Sequence, residues 1–221
     1  MGKSPDQRDV KFSAMKPVRA EKKSGDTRQS LIAAAASLMS EKDTLDVSLA
    51  EIGRTAGANS ALIKYYFGSK EGLLMAVLEQ DFATGLRRLE RLVQSDRTPE
   101  EKMRLHIRGL VETYHSHPYL NRLVQKMSRE ALPSNVEQLA NSFIKPISEA
   151  QSQILEDGVA SGVFRPIEPW SFYFQVVGSA SHIYGHRYVL KAGLGVSRLS
   201  KKQHEQNIDQ VVDIIMRGIA A

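Results

Sequence analysis

The chain has 221 residues, 42% of them hydrophobic and none of them cysteine. That is enough to bury a sizeable core, while disulfides, thiolate nucleophiles and cysteine-ligated zinc are excluded. The formal charge of +5 is concentrated at one end: residues 1–25 hold seven Lys/Arg against three acids, residues 26–70 five of each, and residues 71–221 18 against 17. No apolar run reaches the roughly 18 residues that span a bilayer, and the polar, basic leader has no apolar h-region. The expectation is a soluble, cytoplasmic protein with no membrane partner.

Residues 1–25 lack hydrophobic periodicity and read as a basic, disordered arm. Such an arm either adds phosphate or minor-groove contacts to a neighbouring DNA-reading unit or is a solvated leader. Asp26 or Thr27 opens the first helix, with Leu31, Ile32, Ala35, Leu38 and Met39 on its buried side, and the helix ends near Ser40 to Asp43. Ser48 and Glu51 then form a capping box for a short helix whose inward face is Leu49, Ile52, Gly53 and Ala56. Gly57 supplies the positive φ that ends it, and Asn59 is a good N-cap for a second short helix facing inward through Leu62, Ile63 and Tyr66. Gly inside a helix costs about 1 kcal/mol relative to Ala. Gly53 is therefore expected where the backbone passes close to the following helix.

This pattern is a helix-turn-helix, whose second helix enters the major groove by its N-terminal end. Asn59, Ser60 and Ala61 are small enough there to let the backbone approach bases and phosphates. The continuation Lys64-Tyr65-Tyr66-Phe67-Gly68-Ser69-Lys70-Glu71-Gly72-Leu73-Leu74 resembles the TetR family of bacterial transcriptional regulators. The likeness rests on an aromatic pair closing the recognition helix, a short turn, and a Ser-Lys-Glu-x-Leu-Leu opening to a long helix. It spans roughly Thr27 to Leu78. It implies double-stranded DNA as partner, with Ser48, Asn59, Ser60, Ala61, Lys64, Tyr65 and Lys70 as contacts. Two departures stand out. Lys64 replaces the usual Tyr, so that phosphate contact passes from a phenol to an ammonium, and Glu41-Lys42-Asp43-Thr44 replaces a glycine-rich turn.

Ser69 caps a long fourth helix carrying Leu74, Leu78, Phe82, Leu86, Leu89 and Val93. Thr98-Pro99-Glu100-Glu101 starts the next, with Met103, Ile107, Leu110 and Tyr114 inward, and His117-Pro118 ends it. Tyr119 to Ala131 follows, then a helix from Ser134 to about Ser161 with Pro146 as a kink. A turn at Gly162–Pro169 leads to a helix from Trp170 to about Lys191, a loop from Gly193 to Ser200, and a last helix over Lys202–Gly218. No strand pattern appears. The fold class is all-α, with about nine helices: a helix-turn-helix domain over 26–70 and a ligand-binding and dimerisation domain over 71–221.

The resemblance further implies a homodimer built on the last two helices, through Gly178, Ser181, Ile208, Val212 and Ile215, reading a palindromic operator. It also implies an apolar cavity for a small-molecule effector, with Tyr114, Met127, Phe143, Trp170, Phe174 and Gln175 as candidate lining, although each of these is equally a core residue by type. The Phe164-Arg165-Pro166-Ile167-Glu168-Pro169 turn and the closing Asn207…Ile214-Ile215-x-x-Gly218-Ile219 resemble the pyrimidine-utilisation repressor branch, which does not by itself name a ligand. His182 and His186 have a spacing that can hold a metal, but no third ligand accompanies them, so no metal or cofactor is expected. Paired carboxylates, a nucleophile–base pair and a phosphate loop are all lacking in the sequence. The expectation is a ligand-responsive repressor and not an enzyme. Alternatives are a helical enzyme or carrier whose first helices are structural, and a ligand-independent DNA-organising protein.

Overall fold

The computed structural model describes residues 18–130, 133–197 and 199–221. Helix α1 (Val18–Lys42) begins eight residues before the expected start. The run Arg19-Ala20-Glu21-Lys22-Lys23 consists of good helix formers, and Asp26 continues the helix instead of capping it. The arm expected over residues 1–25 therefore lies outside the described residues up to 17 and is helical beyond. α2 (Leu49–Thr55) and α3 (Ala61–Phe67) pack against α1, and α3 also packs against α4 (Lys70–Val93). Ile52, Ile63, Leu31, Met39 and Leu73, all fully buried, form the core of this part.

The 24 residues of α4 reach about 36 Å at 1.5 Å per residue. Its first turns bury Leu73 to Leu78 beneath α1 and α3, and its later turns place Phe82 and Leu89 against α5 (Pro99–Ser116) and α8 (Lys145–Ala160). α5 is the hub of the second part, packing on α4, α8, α9 and α11. Its capping box is formed by Thr98 and Glu101, with Pro99 in the first turn. α6 (Leu120–Glu130) follows the His117-Pro118 break.

Three further boundaries differ from the sequence reading. The kink at Pro146 is realised upstream: α7 (Pro133–Leu139) passes through a π-helical turn over Ala140–Ile144 into α8. Pro146 has no N–H to give, and widening the preceding turn removes the demand for one. The helix expected over Trp170–Lys191 is broken into α9 (Pro169–Gly185) and α10 (Arg187–Leu194), with His186 outside helical geometry at φ −123° and ψ 39°. The last helix, α11 (Lys201–Ile219), is opened by a Ser200–Gln203 capping box. No strand forms among the described residues. An isolated bridge pairs Phe164 with Ala220, and Arg165 donates to Ile219 and Gly218 carbonyls, which ties the chain end to the turn after α8.

His106 on α5 is 5% exposed and lies 2.8 Å from Gln151 of α8. Burial holds its pKa down at about 4, against an ordinary value of 6.5. The unfolded chain binds this proton more readily, so the contribution of this group is complete above about pH 6.5 and is lost as pH falls toward 4, amounting to about 3 kcal/mol. Urea unfolding of wild type and His106→Gln at about neutral pH and about pH 4.5 should show a smaller acid loss in the variant.

Candidate DNA-binding surface and interior cavity

The helix-turn-helix is set by one close approach. A Cβ on Gly53 would lie 2.9 Å from both the Ala58 carbonyl oxygen and the Ser60 backbone nitrogen. Only glycine lets α2 meet the start of α3 at this separation, as the sequence reading anticipated. Gly57 turns the chain at φ +64°. Asn59 Oδ1 accepts the Ala61 N–H at 2.8 Å, so it satisfies an amide at the start of α3, although the helix itself opens at Ala61. Ser48 Oγ accepts the Glu51 N–H at 3.2 Å. The Lys42 ammonium, 2.5 Å from Glu51, and the Ser48 cap together hold the half-buried Glu51 carboxyl down at about 2.

α3 shows two faces. Ile63 is fully buried, while Asn59, Ala61, Lys64 and Tyr65 are exposed, Tyr65 to 78%. An aromatic ring left this far in solvent is not supporting the core. Tyr66 and Phe67 turn inward in edge-to-face contacts, and the Arg28 guanidinium lies 5.1 Å over the Phe67 ring. Ser60 is half-buried, and Lys70 stands 4.0 Å from Asp46. Leu49, expected inward, is exposed at the first position of α2.

A largely apolar cavity of about 290 Å³ lies between α4, α5 and α8. Its apolar walls are Phe82, Leu86, Leu89, Leu110 and Ile147, and His106 and Thr113 bring polar groups to it. Arg88, Arg108 and Glu112 are the charged residues among its lining. Gly85 of α4 and Gly109 of α5 also line it. A Cβ at Gly85 would meet only Thr113 Oγ1, at 3.9 Å, and one at Gly109 would meet nothing within 4 Å. The two glycines thus keep side-chain bulk out of the α4–α5 gap.

None of the six residues expected to line an effector cavity is among the lining of this one. Tyr114, Met127 and Phe143 are buried core; Phe143 stacks on Phe82 at 5.1 Å, one layer behind the cavity wall, and burial beside Tyr173 pushes the Tyr114 phenol upward. Trp170 and Phe174 are 64% and 66% exposed, and Gln175 bonds Ser171 at the surface. The aromatic start of α9 points outward because the inward positions are taken by Phe172, Val176 and Ala180. The missed signal was glycine in two adjacent amphipathic helices, each carrying a helix penalty without a turn to explain it.

The expected interface residues also divide. Ser181 is buried and accepts from Asn121 Nδ2 at 2.7 Å, and Ile208 is fully buried inside the protomer, so neither is available at a surface. Gly178 is exposed, and Val212 and Ile215 are half-buried. His182 and His186 stack at 3.9 Å, with His186 Nδ1 bonded to the His182 carbonyl. Among the described residues no group of three or more His, Asp or Glu is placed to hold a metal, and no helix is long and apolar enough to cross a membrane.

Two family patterns cover this architecture: "Bacterial regulatory proteins, tetR family" over residues 31–77, and "Tetracyclin repressor-like, C-terminal domain" over residues 96–221. The chain belongs to the TetR family. It is a helix-turn-helix transcriptional regulator of the TetR fold. Similar proteins include the HTH-type transcriptional regulator RutR of Escherichia coli, 26% identical over 87% of this chain and 90% of the relative. The HTH-type transcriptional repressor NicS of Pseudomonas putida is 25% identical over 87% and 92%. Among solved structures, a TetR-family regulatory protein from Rhodococcus superposes with a TM-score of 0.72 at 14% identity, covering 88% of this chain and 97% of the other. The regulator FadR of Bacillus subtilis, in complex with stearoyl-CoA, gives 0.66 at 19% identity, covering 86% and 98%.

Replacing Gly53 by Ala places a methyl against backbone atoms that cannot rotate away. The expected cost is about 1–3 kcal/mol, with weaker DNA binding because α3 is displaced. Thermal unfolding and DNA titration of Gly53→Ala measure both effects, and a variant unchanged in both would show that the turn yields freely.

Proposed function

We propose that this regulator is a cytoplasmic repressor, not an enzyme, that binds a palindromic operator as a homodimer and releases it when a small molecule fills the α4–α5–α8 cavity. In this reading residues 26–70 are the DNA-binding unit and residues 71–221 the effector and dimerisation unit. The observation that carries it is the outward face of α3, with exposed Lys64 and Tyr65 above a fully buried Ile63. Ser48, Asn59, Ser60 and Ala61 border that face, while Lys70 is partly engaged by Asp46. A two-fold pair of such helices spaced about 34–36 Å apart reads successive major grooves. Support for the dimer comes from α9 and α11, which touch each other and leave Trp170, Phe174, Gly178 and Ile214 exposed, with Val212 and Ile215 half-buried beside them. The NicS relative is named a repressor, and the FadR neighbour holds an acyl-CoA. Neither fact names the effector of this chain.

Operator release requires a route from cavity to α3. α4 is one, since it lines the cavity and underlies the helix-turn-helix. The other is Asp43, at the end of α1, whose Oδ1 is 2.5 Å from Arg122 of α6 and 3.3 Å from Arg187 of α10. An effector acts by its different affinity for the two arrangements of these helices.

Capture and sequencing of bound genomic fragments tests the operator reading. A sharp palindromic site is expected, and broad sequence-independent binding would replace it with a DNA-organising role. Lys64→Ala should weaken binding to all sequences about equally and reduce the salt slope by about one unit per Lys64; an unchanged slope would take Lys64 off the phosphates. Asp43→Asn keeps a residue type that tolerates positive φ while removing the charge. It should fold, lose about 1–3 kcal/mol of stability, bind operator, and respond less steeply to effector. Equal effector response in wild type and Asp43→Asn would leave α4 as the sole route.

A further inference from the structure

The chemistry of the cavity wall indicates what kind of molecule enters it, and this inference rests on the cavity being the effector site. Most of the wall is hydrocarbon, from Phe82, Leu86, Leu110 and Ile147. Of the two uncharged polar side chains on the wall, Thr113 spends its hydroxyl on the Gly109 carbonyl at 2.8 Å, which leaves His106. Its Nε2 lies 2.8 Å from Gln151 Nε2, which leaves Nδ1 as the ring's other polar atom on a residue that lines the cavity. Gln151 is 1% exposed, and its Oε1 is buried without a partner among the described residues. With the Gln151 amide donating, His106 must accept at Nε2 and therefore carries its proton on Nδ1. Turning the amide over reverses both roles but adds no charge. Burial keeps the imidazole neutral in either case.

An anionic head group finds little welcome here. Arg108 is held by Glu205 at 3.1 Å and Asp209 at 3.8 Å, and Glu112 adds a like charge to the lining. Arg88 also lines the cavity but is exposed, so its charge is screened by water. A carboxylate driven to the inner wall would lose its hydration and meet a neutral ring.

We infer that the cavity of about 290 Å³ takes a largely apolar molecule of roughly ten to fifteen non-hydrogen atoms bearing one uncharged hydrogen-bonding group, such as an amide or hydroxyl, received by His106 Nδ1. Gln151 is a positioning residue that fixes the tautomer of His106 from behind.

The test uses decanamide and decanoate, which match in size and differ in charge, titrated calorimetrically into the full-length protein. Decanamide should bind at least tenfold tighter than decanoate. His106→Gln keeps a polar group near the former Nε2 and removes the one at Nδ1, so decanamide binding should fall about tenfold or more. His106→Asn keeps the group at the Nδ1 position and should retain most of it. This pair separates ligand contact from folding, because both variants shorten or reshape the same buried ring. Decanoate binding as tightly as decanamide, neither probe binding, or equal decanamide affinity in wild type and His106→Gln would each overturn the assignment. Operator titration with decanamide present addresses the underlying reading separately. Binding that depends on His106 but leaves operator affinity unchanged upholds the ligand class and removes the effector role.

Discussion

Asp43 joins the two halves of this molecule. Its side chain is 9% exposed, and it receives guanidinium groups from α6 and α10, helices far apart in sequence. Arg122 also donates to the Asp43 carbonyl, and Arg187 to the Ser40 carbonyl. These carbonyls belong to the end of α1, where a helix has no internal donors left and where positive charge is favoured by the helix dipole. The two arginines thus serve as a C-terminal cap supplied by the other half of the chain. Asp43 occupies φ +51°, a left-handed conformation open to Asp but costly for most residues. The break between α9 and α10 at His186 precedes Arg187 directly, so the interruption of that helix and the docking of α1 are parts of one arrangement.

A second constraint is the gap between α4 and α5. Two long amphipathic helices would ordinarily close on each other and bury their facing side chains. Gly85 and Gly109 remove the side chains that would fill the seam, and Phe82 is held back by stacking on Phe143. The result is an apolar space beside the helix that also supports α3. A buried neutral histidine and an unpartnered glutamine oxygen behind that wall are costs that a close-packed core would avoid. Such costs concentrate where a fold serves binding as well as stability.

What the sequence alone determined is what depends on neighbours within a few residues. The capping boxes at Ser48, Thr98 and Ser200 act over three residues, and only the last of them went unread. Gly53 at the close approach, Gly57 at the turn, Ser69 as a cap and the break at His117-Pro118 follow from local sterics and hydrogen bonding. The aromatic pair before Ser69-Lys70-Glu71 carried the family, and helical periodicity without any strand pattern carried the all-α class. Tertiary structure alone decided which face of each later helix looks inward. α9 offers apolar side chains on both faces, so its hydrophobic pattern does not choose between Phe172 and Phe174; packing against α5 and α8 buries the former and exposes the latter. Ser181 and Ile208 were drawn inside for the same reason. The cavity is legible only when Gly85 and Gly109, 24 positions apart, are brought face to face. The Asp43 clamp spans 79 positions to Arg122, and no local pattern encodes a contact at that separation.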